Sequence, residues 1–326
     1  MLKNKKQTLK KIEKVMDDIE DIKIQGATNV AKESIKLFCV YVGSFADKVS
    51  SLEILKSAKK FKEELANLRE TEPLTRNALD FIYQKLLKEN TLDSGKESLP
   101  AVALAKAGDY WGKYFLNLLH EHKKSVTEHG QKLISRGDQV FTHCHSSMVT
   151  GILIEAYKKR KFKVFNDETR PLFQGRITSE ELRKAGLPNT MLVDGASAYL
   201  ISHFSGKDLD ISSVFLGCDA IALDGACVNK IGSYGIALSA YHSGIPVYIA
   251  TSLLKIESDL KRGAYIKIEE REPKEIWAKP PRGLKLINLA FDMIPPEFIT
   301  AYVTEFGLVK PKDVAKVVKR EYGEWF

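Results

Sequence analysis

Gly137-Asp138-Gln139-Val140-Phe141-Thr142-His143-Cys144-His145-Ser146-Ser147-Met148-Val149-Thr150 is the stretch whose reading decides the fold. A turn-forming Gly-Asp pair precedes an apolar, β-rich run, so residues 139–143 read as a short strand. A polar turn and an amphipathic segment follow. The same alternation recurs downstream at Lys163-Val164-Phe165, Thr190-Met191-Leu192-Val193, Ser213-Val214-Phe215-Leu216-Gly217 and Pro246-Val247-Tyr248-Ile249-Ala250. Helices fill the gaps. Thr178 with Glu181 has the spacing of a capping box, and Gly186 reads as that helix's stop. Strands alternating with helices predict a parallel sheet covered on both faces, an α/β domain of Rossmann-like type over residues 137–326.

Upstream of Gly137 the apolar spacing is helical throughout. Leu9, Ile12, Met16, Ile19 and Ile22 follow a three-or-four step, as do Val30, Ser34, Leu37, Phe38 and Tyr41. Further helices are expected near 52–68, 76–88 and 100–134, the last opened by Pro100. The polar stretch Asn90 to Ser98 reads as a loop. Residues 1–136 are therefore expected to form an N-terminal helical domain with no strand.

Composition narrows the classes of function. Of 326 residues, 44% are hydrophobic and 28% charged, which suits a folded chain and not a disordered one. No run approaches the about 18 apolar residues a membrane span needs. The basic start, Met1 to Lys14, lacks the apolar core of a secretory signal, so a cytoplasmic location is expected. Cysteines stand at positions 39, 144, 218 and 227 without the paired spacing of a zinc or redox motif, and free thiols are expected. The net charge of +8 suits acidic partners, and phosphorylated small molecules are among them. No basic motif interleaved with aromatics speaks for nucleic acid, and the lysines of residues 3–14 read as a solvated helix face.

In a doubly wound sheet, ligands bind beyond the carboxyl ends of the strands. After the first expected strand stand His143-Cys144-His145-Ser146-Ser147, and after the second Asn166-Asp167-Glu168-Thr169-Arg170 leading to Gln174-Gly175-Arg176. The third delivers Asp194-Gly195 and the fourth Cys218-Asp219. Cys144, at a strand end and helix start, reads either as a thiol whose pKa the amide dipoles lower or as a small buried hydrophobe. A zinc site at His143, Cys144 and His145 is disfavoured, because consecutive strand residues point to opposite faces and no further ligand pair exists. Asp219, before the apolar run Ala220–Leu223, reads either as a carboxyl able to hold a proton or as a helix-cap or turn residue. Residues Gly225 to Ser233 look like a phosphate-binding loop but lack the spacing of a nucleotide triphosphatase.

Taken together, these motifs resemble those of archaeal ribose-1,5-bisphosphate isomerases. Thr142-His143-Cys144-His145-Ser146 resembles their active-site cysteine motif, and Glu168-Thr169-Arg170-Pro171 with Gln174-Gly175-Arg176 their ETRP…QG motif. Gly217-Cys218-Asp219 and Asn229-Lys230-Ile231-Gly232 resemble the GAD…NKIG pair. Phe291-Asp292 with Pro295-Pro296-Glu297, then Thr304-Glu305, is similar to the carboxyl-terminal signature, and Ile24-Gln25-Gly26-Ala27 is a weaker match. The superfamily holds these isomerases, methylthioribose-1-phosphate isomerases and the regulatory subunits of initiation factor 2B. The resemblance implies that Cys144 and Asp219 are the catalytic pair of an aldose–ketose isomerase acting on a phosphorylated pentose, without cofactor or metal. It implies substrate contacts at Gln25, Gly26, Ala27, Thr28, Ser146, Ser147, Arg170, Gln174, Gly175, Asn229, Lys230 and Lys255. A homo-oligomer, dimer or hexamer, and AMP as an effector are further implications. Two departures stand out. Gln25 occupies the place of a phosphate-binding arginine, and Glu72-Pro73-Leu74 stands for an Arg-Pro-Thr motif, where the added carboxylate is expected to repel the ligand and Arg76 is a candidate compensating charge. The alternative they leave open is a non-catalytic, nucleotide- or sugar-phosphate-sensing subunit like those of initiation factor 2B.

Overall fold

A computed structural model describes residues 2–45, 49–92, 99–202, 204, 206, 209–257 and 268–325. They fall into two compact units, residues 1–121 with 324–326, and residues 122–323.

The first unit is helical, and its described residues contain no strand. It comprises α1 (Leu2–Glu20), α2 (Ala27–Gly43), α3 (Ser51–Asn67), α4 (Pro73–Leu92) and the first two-thirds of α5 (Ala101–Gly130). The three-or-four spacing becomes the buried face: Ile12 and Ile19 on α1, Val30, Ser34, Leu37 and Phe38 on α2. Ser50 and Glu53 form a reciprocal capping box that starts α3. Gly108 and Gly112 let α5 lie close to α2, where Cys39 Sγ donates to the Gly108 carbonyl at 3.3 Å. Phe81 packs against Phe115 and Trp325, with ring centroids 5.5 and 4.2 Å apart. Lys10, Lys11 and Lys14 lie exposed on α1, and part of the loop expected at 90–98, residues 93–98, is outside the described residues. The periodicity change at residue 136 does not coincide with the division between units, which falls inside α5 because a single helix supplies core residues to both.

The second unit is the expected α/β domain. Its seven-stranded sheet has the order β10-β9-β7-β4-β1-β2-β3, parallel except for the last hairpin. The strands are β1 (Gln139–Thr142), β2 (Lys163–Asp167), β3 (Asn189–Leu192), β4 (Ser213–Leu216), β7 (Val247–Ala250), β9 (Ala301–Thr304) and β10 (Gly307–Val309). Between them run α6 (Ser147–Lys159), α7 (Gln174–Lys184), α8 (Ser197–Ile201), α9 (Ser233–His242) and the closing α10 (Val314–Tyr322). Val140, Val164 and Phe215 of the strands share one core with Val149, Ile152 and Leu153 of α6 and Leu182 of α7. Chain order runs outward from β1 to β3 in one direction and from β4 in the other. The topological switch point therefore lies between β1 and β4, paired from Val140↔Ser213 to Thr142↔Phe215.

Two expectations are corrected here, and the helix start expected at Pro100 is found. Residues 225–233 are not a free loop: β6 (Cys227–Lys230) lies between β5 (Ala220–Ile221) and β8 (Phe291–Ile294) in a small antiparallel sheet. No compact apolar run marks its strands: β5 has two residues, and polar Asn229, Lys230 and Asp292 interrupt β6 and β8. Thr178 is no cap, since α7 starts at Gln174 and Thr178 lies within it, its hydroxyl donating to the Cys144 carbonyl at 2.8 Å. Pro100 precedes the first turn of α5 as the acceptor for Ala103 and Leu104 N–H.

Candidate active site

Cys144 leaves β1 in a left-handed conformation, φ 64°, which a non-glycine residue keeps only when its neighbours fix it. Thr169, also left-handed at φ 58°, does so. The Cys144 N–H donates to Thr169 Oγ1 at 2.9 Å, and the Thr169 hydroxyl donates on to Asp167 Oδ1 at 2.9 Å. Thr169 is itself held by its N–H, which donates to Asp194 at 2.7 Å, beside the Arg170 N–H at 2.6 Å. The buried Asp167 carboxylate also accepts from Ser197 Oγ at 2.9 Å and from His143 Nδ1 at 2.7 Å. The other nitrogen of His143 faces the Ile231 carbonyl at 2.9 Å. Both ring nitrogens thus face oxygen partners. Burial alone would lower the His143 pKa, but the bond and charge of Asp167 hold it above its usual value. The result is a buried His143–Asp167 pair joining β1 and β2 to the turn before α9. Gly232 belongs to that turn, and a Cβ there would sit 3.2 Å from the His143 ring.

The structure decides between the two readings of the Cys144 thiol. Burial pushes its pKa up to about 12, outweighing the attraction of Lys230, and the charges of Asp219 and Asp167 add to the rise. The resting group is a neutral thiol, because the helix start is a weaker influence than desolvation. Asp219 follows β4, the strand next to β1. It starts no helix, so the cap reading falls away. Its N–H donates to the Val228 carbonyl at 2.8 Å, tying it to β6. Gly217 brings the two loops together: a Cβ there would lie 2.9 Å from Ser146 Cβ and 3.5 Å from Asn229 Oδ1. Ser146 caps α6 and Ser147 begins it, so the first-turn amides of that helix stand beside Cys144. The Asn229 amide donates to Ser233 Oγ at 2.9 Å, Lys230 reaches across the Phe291 ring, and Lys255 donates to the Cys218 carbonyl next to Asp219. The structure thus assembles Cys144, Asp219, Ser146, Ser147, Asn229, Lys230 and Lys255 around one strand junction.

Other expected contacts are placed differently. Gly175 uses its N–H on the Glu168 carbonyl and its own carbonyl on Asn166, so it offers nothing to a ligand. A Cβ there would meet the Asp167 carbonyl at 1.8 Å, which makes it a packing glycine. Gln174 is buried at the start of α7, and the exposed Arg170 extends toward the Ile276 carbonyl at 3.3 Å. His145 turns to α7, 3.1 Å from Thr178 Oγ1. Among the described residues no three His, Cys, Asp or Glu side chains are grouped to hold a metal. In the helical unit, Gly26, at φ 82°, precedes α2 and accepts from Asn29 and Val30 N–H, with Gln25 before it and Ala27 and Thr28 opening the helix. Glu72 is not the free repelling charge expected: it is buried and paired with Arg69 at 2.7 Å. The sequence reading gives Arg69 and Ser197 no role, and it places Asp167 and Thr169 at a strand end without assigning them a contact.

A Rossmann-like sheet with a polar cluster at its switch point defines a class, and the chain belongs to the initiation factor 2 subunit family, whose profile matches residues 7–311. The ribose 1,5-bisphosphate isomerase of Pyrococcus furiosus is 30% identical over 321 residues, covering 97% of this chain and 95% of that protein. The 5-deoxyribose 1-phosphate isomerase of Clostridium botulinum is 33% identical over 322 residues, covering 92% and 86%. Among solved structures, translation initiation factor eIF-2B of Pyrococcus horikoshii superposes with a TM-score of 0.76 at 24% identity, covering 92% of this chain and 97% of that one.

Proposed function

We propose that this protein is a sugar-phosphate isomerase that converts an aldose 1-phosphate into the ketose, with Cys144 and Asp219 as its acid–base pair. The observation that carries this reading is their position just beyond the carboxyl ends of the adjacent strands β1 and β4 at the switch point, where the Asp219 charge acts on the Cys144 thiol. Curated relatives of nearly full length are sugar-phosphate isomerases. Ring opening and enolisation shift protons between oxygen and carbon with no net gain or loss, so two protonic groups suffice. Asp219 takes the Cys144 proton and passes it to the ring oxygen as the ring opens. The thiolate, a strong base because its pKa is raised, then takes the proton from C2 and returns it to C1, while Asp219 accepts the C2 hydroxyl proton and returns it to the thiolate. The α6 amides with Ser146, Ser147, Asn229, Lys230 and Lys255 suit the phosphate and hydroxyl groups.

Ribose 1,5-bisphosphate is the first substrate to assay. Gln25 supplies no guanidinium for a second phosphate, and this favours 5-deoxyribose 1-phosphate as the comparison. Incubation of the purified protein with each, followed by detection of the ketose, decides between them. Turnover of neither, with AMP binding by calorimetry, would replace this reading with that of a sensing subunit. We also propose a homo-oligomer in the cytoplasm; Val193, Tyr199, Phe204 and Tyr241 are exposed apolar side chains of the α/β unit suited to a second copy. No described helix is long and apolar enough to cross a membrane.

A further inference from the structure

Glu305 stands just past β9, away from the residues assigned above, yet its buried carboxylate is heavily engaged. Oε1 accepts from Ser252 Oγ at 3.1 Å, from the Tyr322 hydroxyl at 2.6 Å and from the Leu253 N–H at 3.1 Å, while Oε2 accepts from the same N–H at 3.2 Å. Ser252 in turn caps the single turn Leu253–Lys255, its Oγ accepting from Leu254 N–H at 3.2 Å. The Ser252 proton goes to Glu305, so its oxygen is left to accept from His122 Nδ1 at 3.0 Å. At the far end of the same segment Lys255 donates to the Cys218 carbonyl, Ile256 bridges Ile221, and the Glu257 N–H donates to the Ile221 carbonyl at 2.8 Å. Residues 252–257 are therefore clamped at one end by Glu305 and at the other by the strand segment that carries Asp219.

Burying a carboxylate is costly, and burial does push the Glu305 pKa up against the pull of its donors. An apolar side chain would fill the space at less cost, but it would leave the 252–257 turn without its anchor. We propose that Glu305 is a positioning residue of the reaction centre, setting through Ser252 and the Leu253 amide the place of Lys255 beside Asp219. The kinetic consequence rests on the isomerase reading; the geometric one does not.

The test reads both. The side-chain ¹⁵Nζ signal of Lys255, assigned by its loss in Lys255→Arg, moves to the position of exposed lysines in Glu305→Ala. It returns in Glu305→Gln, which keeps an accepting Oε1. With ribose 1,5-bisphosphate, kcat falls about tenfold or more in Glu305→Ala, as expected when a site group is displaced. In a Lys255→Met background the same change adds less than about twofold, because the two act through one path. An unmoved Lys255 signal, or losses that multiply, overturns the proposal. Should Glu305→Ala fail to fold, Ser252→Ala removes one link of the clamp and is read in the same way. A wild type that turns over neither the bisphosphate nor 5-deoxyribose 1-phosphate removes the isomerase reading alone, since the Lys255 signal still decides the positioning.

Discussion

On the proposed mechanism Cys144 handles the carbon-bound proton and Asp219 the oxygen-bound ones, and single substitutions test each role. Cys144→Ser and Asp219→Asn each lower kcat by about 10²–10⁴-fold or more, with circular dichroism and melting temperature close to wild type, because each change keeps volume and removes one proton-handling group. Activity near wild type in either variant would remove the mechanism. The neutral thiol adds a pH signature. With a pKa raised to about 12, the thiolate fraction grows tenfold per pH unit across the whole neutral and alkaline range. Alkylation of Cys144 by iodoacetamide, measured against Cys144→Ser, is therefore slow at pH 7 and climbs without a plateau through pH 9. A plateau near neutrality would mean that the site lowers the thiol pKa. Sequence identified the residue, but its protonation state depends on desolvation by groups far away in the chain.

At the scale of elements, five of the parallel strands were legible because each is a compact apolar run between turns. The small sheet of β5, β6 and β8 was not, since β5 has only two residues and polar side chains interrupt β6 and β8, so that cross-strand partners and not pattern stabilise them. Its consequence for the site is direct, because β6 carries Asn229 and Lys230 and pairs with the Asp219 backbone. The loop from β2 to α7 has a similar hidden logic. Gly175 lies against the Asp167 carbonyl, and Asp167 fixes His143 and Thr169, which hold the strained Cys144 backbone. Gly175→Ala must push that backbone aside. The expected cost is about 1–3 kcal/mol in urea denaturation, together with a fall in kcat larger than the unfolded fraction explains. A stable, fully active variant would show that the loop does not hold Cys144.

For the molecule as a whole, buried titratable groups link stability to pH. Burial lowers the His122 pKa to about 4 from 6.5, so the folded state keeps the ring neutral, where Ser252 and Tyr322 face it and Glu305 lies 3.5 Å away. A lowered folded pKa means that stability is fully present above pH 6.5 and is lost as pH falls toward 4. The loss is on the order of 3 kcal/mol, read as the difference in urea unfolding between wild type and His122→Phe at pH 7 and pH 4.5. Equal pH dependence in the two proteins would assign the acid sensitivity to other groups. The sequence by itself determined the order of helical and α/β regions and five of the parallel strands, with Cys144 and Asp219 beyond two of them, because periodicity and strand-end position are local properties. Tertiary structure alone decided that Glu72 is neutralised by Arg69, that Gly175 packs against Asp167, and that Glu305 anchors the Lys255 turn. It also decided between the two readings of the Cys144 thiol, in favour of the neutral form. Charge state and close packing depend on desolvation and on neighbours that the fold brings together from distant parts of the chain, and no local pattern encodes them.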